Sequence, residues 1–144
     1  MTMGVLVLLL GLVAGSPAEP QSVTCHVRED PRGRAFALEP LGEGSNGWRL
    51  AMQDRDSGGK WIRLALPGAT PVFGDGTASL SYKNANGGRQ VSVDVTRDHA
   101  RLDVYVDHGL EVNIEPDLDP AVDRMNTNGP LTALDCTVTQ LGKM

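Results

Sequence analysis

Beyond residue 20 the chain alternates apolar and polar positions with a period of two, and Gly, Pro, Asn and Asp separate the alternating runs. No stretch there carries the spacing of an amphipathic helix. The pattern predicts strands near residues 22–28, 34–39, 48–54, 60–66, 77–85, 88–97, 100–106, 110–115 and 131–139. Segments 40–47, 67–76 and 116–130 read as loops, the last with room for one helical turn over Ala121–Met125.

The middle of the chain is legible down to register, because opposed residues must share a face. Asn86-Gly87 has the composition of a two-residue type I′ turn and pairs Tyr82 with Val91, Leu80 with Val93 and Ala78 with Val95. Asp98-His99 as the next turn sets Val95 against Leu102, Val93 against Val104 and Val91 against Val106. Asp107-His108-Gly109 as a three-residue loop sets Val106 against Leu110, Val104 against Val112 and Leu102 against Ile114. All three turns agree on one apolar face, which must be covered. Phe36, Leu38, Trp48, Leu50, Met52, Ile62, Leu64 and Leu66 supply the cover. The expected fold is all-β: an antiparallel meander forming a two-sheet β-sandwich, with a small closed β-barrel as the alternative.

Gly4–Ala14 is an uncharged apolar run of eleven residues, short of the roughly 20 that a bilayer-spanning helix needs. The small residues Ala14, Gly15, Ser16 and Ala18 follow it, as they follow the core of an export signal. Residues 1–18 are therefore expected to be a removable signal peptide and residues 19–144 a single β domain, secreted or periplasmic, with no stable membrane span after cleavage. In an oxidising compartment two cysteines suffice for one bond. Cys25 shares parity with Val23 and Val27, and Cys136 with Leu134 and Val138, so a buried disulfide is expected to tie the first strand to the last.

Composition narrows the function only by exclusion. A net charge of −5 argues against a basic nucleic-acid-binding protein, and the absence of repeats or low-complexity bias argues against collagen-like or disordered chains. Acids are concentrated between residues 94 and 123. The expected register places Ser79, Asp94, Asp103 and Asn113 in one outer row, and Ser81, Ser92, Tyr105 and Glu111 in another. Two aspartates directly opposed destabilise a strand pair, and with Asn113 they offer oxygen ligands suited to Ca²⁺. The 116–130 loop adds Asp117, Asp119 and Asp123, although Pro120 and Arg124 break the twelve-residue calcium-loop pattern. Solvated aspartates and turn formation account for the same residues. Trp61 alternates out of phase with Ile62, Leu64 and Leu66 and so points away from the core. Trp61, Tyr105 and Glu111 are the candidate binding surface.

For catalysis the sequence offers little. There is no Gly-x-Ser-x-Gly, no His pair at zinc spacing and no thiol left over after the disulfide. His99 beside Asp98 falls in a turn. The expected protein is an exported, non-catalytic β domain with a binding or structural accessory role at the cell envelope or outside the cell, its protein partner or surface ligand unspecified. Two alternatives stand beside it. One is a calcium-binding β module using the acidic face or the 117–128 loop. The other is a small carboxylate hydrolase, which requires a concave pocket holding two carboxylates.

Overall fold

The computed structural model describes residues 21–42 and 44–140, so the expected signal segment 1–18 lies outside the described residues. The strands are β1 (Gln21–Val27), β2 (Ala35–Pro40), β3 (Gly47–Gln53), β4 (Ile62–Pro67), β5 (Val72–Gly74), β6 (Thr77–Lys83), β7 (Arg89–Val95), β8 (Ala100–Val106) and β9 (Leu134–Gln140). They form two antiparallel sheets, ordered β4-β3-β2-β1-β9 and β5-β6-β7-β8. The sandwich is thus observed, and the barrel alternative falls because neither sheet closes on itself.

The inward positions are those that the alternation assigns. Val23, Phe36, Leu38, Leu50, Met52, Ile62, Leu64 and Leu66 from the first sheet meet Ala78, Leu80, Val91, Val93, Val95, Leu102, Val104 and Val106 from the second, all buried. Trp48 is only partly buried and packs its ring on Phe73, centroids 5.2 Å apart. Cys25 and Cys136 stand directly opposite each other on β1 and β9 and are bonded. The disulfide therefore ties the first and last described strands, as expected.

The registers divide instructively. The β6–β7 pairs Tyr82–Val91, Leu80–Val93 and Ala78–Val95 are as expected. The connection is wider than a two-residue turn, running from Asn84 to Arg89, with Gly87 at φ +75°. The β7–β8 turn is Arg97-Asp98, closed by Thr96 N–H donating to His99 O at 2.7 Å, and not Asp98-His99. Val95 consequently faces Ala100, Val93 faces Leu102 and Val91 faces Val104. This slip of two residues leaves every side chain on its face but changes its neighbour. Asp94 lies between Ser79 and Arg101, and Asp103 faces Ser92. The repulsive aspartate pair does not exist, because the observed register sets Asp94 against a cation instead.

The expected strand 110–115 is also replaced. Asp107 adopts extended geometry and its side chain accepts from Leu110 N–H, capping a one-turn helix α1 (His108–Glu111). An aspartate before the turn satisfies its free N–H groups, which outweighs the strand alternation of the next residues. Leu110 and Ile114 are exposed, at 44% and 60%. The edge of β8 is covered by the following connection instead. Asn126 Oδ1 accepts from Val106 N–H at 2.9 Å, Thr127 N–H donates to Val104 O, and Leu131 bridges Leu102. That segment also contains a 3₁₀ helix (Pro120–Met125), the helical turn anticipated there, and its Val122 and Met125 are fully buried between β4 and β8. The segment read as a loop is thus part of the core. Segment 67–76 likewise contains β5, a three-residue edge strand pairing β6.

Candidate functional site

The three candidate binding residues Trp61, Glu111 and Tyr105 each line a hollow. The first is organised by Asp54, which ends β3. Its backbone N–H donates to Ser57 Oγ, its carbonyl accepts from that hydroxyl, and its Oδ1 accepts from Asp56 N–H at 3.1 Å, capping the N-terminus of a short 3₁₀ helix (Arg55–Ser57). The Asp54 side chain is 1% exposed and holds two guanidiniums, Arg32 at 3.3 Å and Arg124, the latter from the 3₁₀ helix Pro120–Met125. Arg32 also donates to Arg124 O at 2.8 Å. Burial raises the Asp54 pKa, but the hydrogen bonds from Arg124 and Arg32 outweigh it and hold the carboxyl below its usual range. A buried charge is tolerated here because it is paired on both sides.

This bracket ties the start of the loop that leads to Lys60 and Trp61 to the 3₁₀ helix that carries Arg124 and is capped by Asp119. Between them lies a hollow of about 260 Å³ lined by Asp56, Ser57, Lys60, Trp61, Ile62, Asp119, Ala121 and Arg124. Trp61 is partly buried, at the mouth of β4. Asp119 caps Ala121 N–H with Oδ1 at 2.9 Å, and Arg124 lies 3.8 Å from Asp56. Trp61 was legible from its phase. Arg124, Lys60 and Asp56 were not. The one local signal was Asp54-x-x-Ser57, a capping pattern at a strand end.

The second hollow, about 350 Å³, is lined by residues that include Tyr82, Asn84, Arg89, Glu111, Ile114 and Glu115. Glu111 has no exposed surface and cannot belong to an outer binding face; the expectation that it stands on one beside Tyr105 is corrected. Its position follows from α1, which turns the residue inward over the β6–β7 hairpin. Glu111 Oε1 accepts from Asn84 Nδ2 at 2.9 Å and from Arg89 Nε. Arg89 completes its contacts with Ala65 O at 2.7 Å and Glu115 at 2.9 Å, joining the two sheets and α1 through one side chain. Gly88 leaves room for the carboxylate there: a Cβ would stand 2.2 Å from Glu111 Oε2. Arg89 shares inward parity with Val91, Val93 and Val95, a signal in the sequence that a cation ends the dry face. Burial pushes the Tyr82 phenol above its usual pKa.

The third hollow, about 320 Å³, lies on the outer face of β6-β7-β8 and is lined mainly by Ser81, Lys83, Gln90, Ser92, Asp103 and Tyr105. Tyr105 is 44% exposed, and the Asp107 carboxylate beside it raises its pKa. Asp103 already accepts from Thr127 Oγ1 at 3.1 Å. Tyr105 and Trp61 therefore line different hollows and do not form one surface.

The residues considered for Ca²⁺ are dispersed. Asp94 and Asp103 are in different cross-strand rows, Asn113 and Asp117 are exposed in the connection, Asp119 caps a helix, and Asp123 Oδ1 accepts from His108 N–H at 3.0 Å. Among the described residues no group of three or more His, Cys, Asp or Glu is placed to hold a metal ion. The acidic stretch is similarly divided, since Glu111, Glu115, Asp107, Asp119 and Asp123 are engaged in pairs and caps. No helix among the described residues is long and apolar enough to cross a membrane.

A different carboxylate governs acid stability. Asp30 accepts from Arg34 Nε at 2.8 Å and from Arg34 N–H at 2.9 Å, and these bonds hold its pKa at about 2, below the usual 3.8. A carboxylate depressed in the folded state stabilises fully above the unfolded pKa and loses that contribution as pH falls towards the folded one. Urea unfolding stability is accordingly expected to drop by about 2 kcal/mol on account of Asp30 between pH about 4 and about 2, with Asp54 adding in the same direction. In Asp30→Asn that part of the slope disappears; an unchanged slope in the variant refutes the assignment.

No family model matches the chain, and no curated protein or solved structure matches it.

Proposed function

We propose that the protein is an exported, non-catalytic β-sandwich domain that binds a small polar ligand in the Trp61 hollow. The observation that carries this reading is the Asp54 bracket. A buried carboxylate pins the Arg124 guanidinium and the start of the loop that leads to Trp61, so one polar wall of the hollow is held in place before any ligand arrives, an arrangement that lowers the ordering cost of binding. The disulfide and the apolar run at Gly4–Ala14 support the secreted or periplasmic location. The Tyr105 face lacks such a bracket and lies on an open sheet.

The test is an NMR screen of the ¹⁵N-labelled, disulfide-intact protein against sugars, amino acids, short carboxylates and amines. The Trp61 indole N–H cross-peak, assigned by its loss in Trp61→Phe, is expected to shift saturably with at least one probe while that of Trp48 stays in place. A screen in which Trp61 never moves overturns the reading. A second reading, carboxylate hydrolysis, rests on Glu111 and Glu115 sharing one hollow. It ranks behind because Glu111 is closed to solvent and engaged by Arg89 and Asn84. Turnover of a nitrophenyl glycoside or ester that Glu115→Gln abolishes would reverse the ranking.

A further inference from the structure

We infer that the ligand of the Trp61 hollow is a single uncharged pyranose ring, free or at the end of a glycan; the inference rests on that hollow being a binding site. The charges around it cancel: Lys60 and Arg124 are balanced by Asp56 and Asp119. Two of the four groups are also partly engaged. Arg124 is already paired with Asp54 and lies near Asp56, and Asp119 already caps Ala121 N–H. What the walls still offer is a set of separate hydrogen-bonding positions: the Lys60 ammonium donors, the remaining Arg124 N–H groups, the second Asp119 oxygen and the Asp56 carboxylate.

Donors and acceptors side by side, without a net charge, suit neighbouring hydroxyls, each of which both gives and accepts a hydrogen bond. An anion would find Lys60 but face Asp56 and Asp119 in the same hollow, and a cation would find Asp56 but face Lys60 and Arg124. The indole of Trp61 supplies what a sugar needs besides polar partners, an apolar face for the ring C–H groups. Size points the same way. About 260 Å³ is below the roughly 300–1,000 Å³ of sites that enclose drug-sized ligands, and it is room for one ring. The scarcity of aromatic residues elsewhere, with Trp48 packed on Phe73, limits stacking to that one ring.

The experiment titrates the disulfide-intact protein with methyl glucoside, methyl galactoside and N-acetylglucosamine, against acetate, glycine and ethylamine as charged probes. At least one sugar is expected to displace the Trp61 indole peak saturably. Followed at the Lys60 amide, its affinity is expected to fall about tenfold in Trp61→Ala, and similarly in Asp119→Asn. Asparagine keeps the helix cap and removes the charged acceptor, so a loss in that variant is not a folding defect. If a charged probe binds and no sugar does, the hollow is a site but the pyranose assignment is wrong. If no probe moves Trp61, the site itself is refuted along with its ligand.

Discussion

Replacing Cys25 and Cys136 together by alanine is expected to lower the unfolding free energy by about 4–5 kcal/mol. The bond closes a loop of 111 residues, and the entropy of an unfolded chain freed from so long a constraint rises accordingly. It also joins β1 to β9, which among the described residues is the edge strand of its sheet with β1 as its neighbour there. Since single small domains are stable by only about 5–15 kcal/mol, the variant is expected to lose a large part of its stability. Urea unfolding with and without reductant measures this directly. A reduced protein within about 1 kcal/mol of the oxidised one contradicts the loop-closure account. The reduced wild type and the alanine variant should agree apart from the small cavity left at buried Cys25.

Breaking the Arg89–Glu111 pair from one side should cost about 3–5 kcal/mol, because the partner is left as an uncompensated buried charge. Glu111→Ala leaves the Arg89 guanidinium, which is 4% exposed, with only the half-exposed Glu115 as counter-charge, so its cost falls at the lower end, whereas Arg89→Met strands a carboxylate with no exposure at all. Replacing both, as Arg89→Met with Glu111→Leu, should recover most of the loss, since apolar groups of similar volume often serve as well as a buried pair. Gly88→Ala provides an independent check. Its new Cβ, 2.2 Å from Glu111 Oε2, must push the carboxylate off its donors, at about 1–3 kcal/mol. In a Glu111→Ala background that cost should nearly vanish. Equal costs in both backgrounds would mean that Gly88 is required for its backbone and not for the carboxylate above it.

These two predictions draw on different depths of the sequence. Cys25 and Cys136 announce their pairing through parity: each sits among apolar residues on an alternating strand, at opposite ends of the described chain. Glu111 announces nothing of the kind. By alternation it belongs to a strand with Tyr105 and Ser92 on an outer face, and only the capping of α1 by Asp107 carries it inward. Arg89 was the available clue, an inward-facing cation that needs a buried anion, but parity alone does not say which acid reaches it.

The period of two in the hydrophobic pattern determined the fold class, the inward side of each strand and the disulfide. It did so because a register slip of two residues returns every side chain to its own face. For the same reason it is blind to that slip: the β7–β8 pairing moved by two residues, the core kept its composition, and Asp94 exchanged Asp103 for Arg101 as its neighbour. The partners of polar groups were decided only by the tertiary structure. Asp54 meets Arg124 across 70 positions and Arg89 meets Glu111 across 22, over loops and turns whose geometry local patterning does not specify. Hydrophobic burial depends on which way a side chain points, whereas an ion pair or a binding hollow depends on distances of a few ångströms between segments remote in the chain.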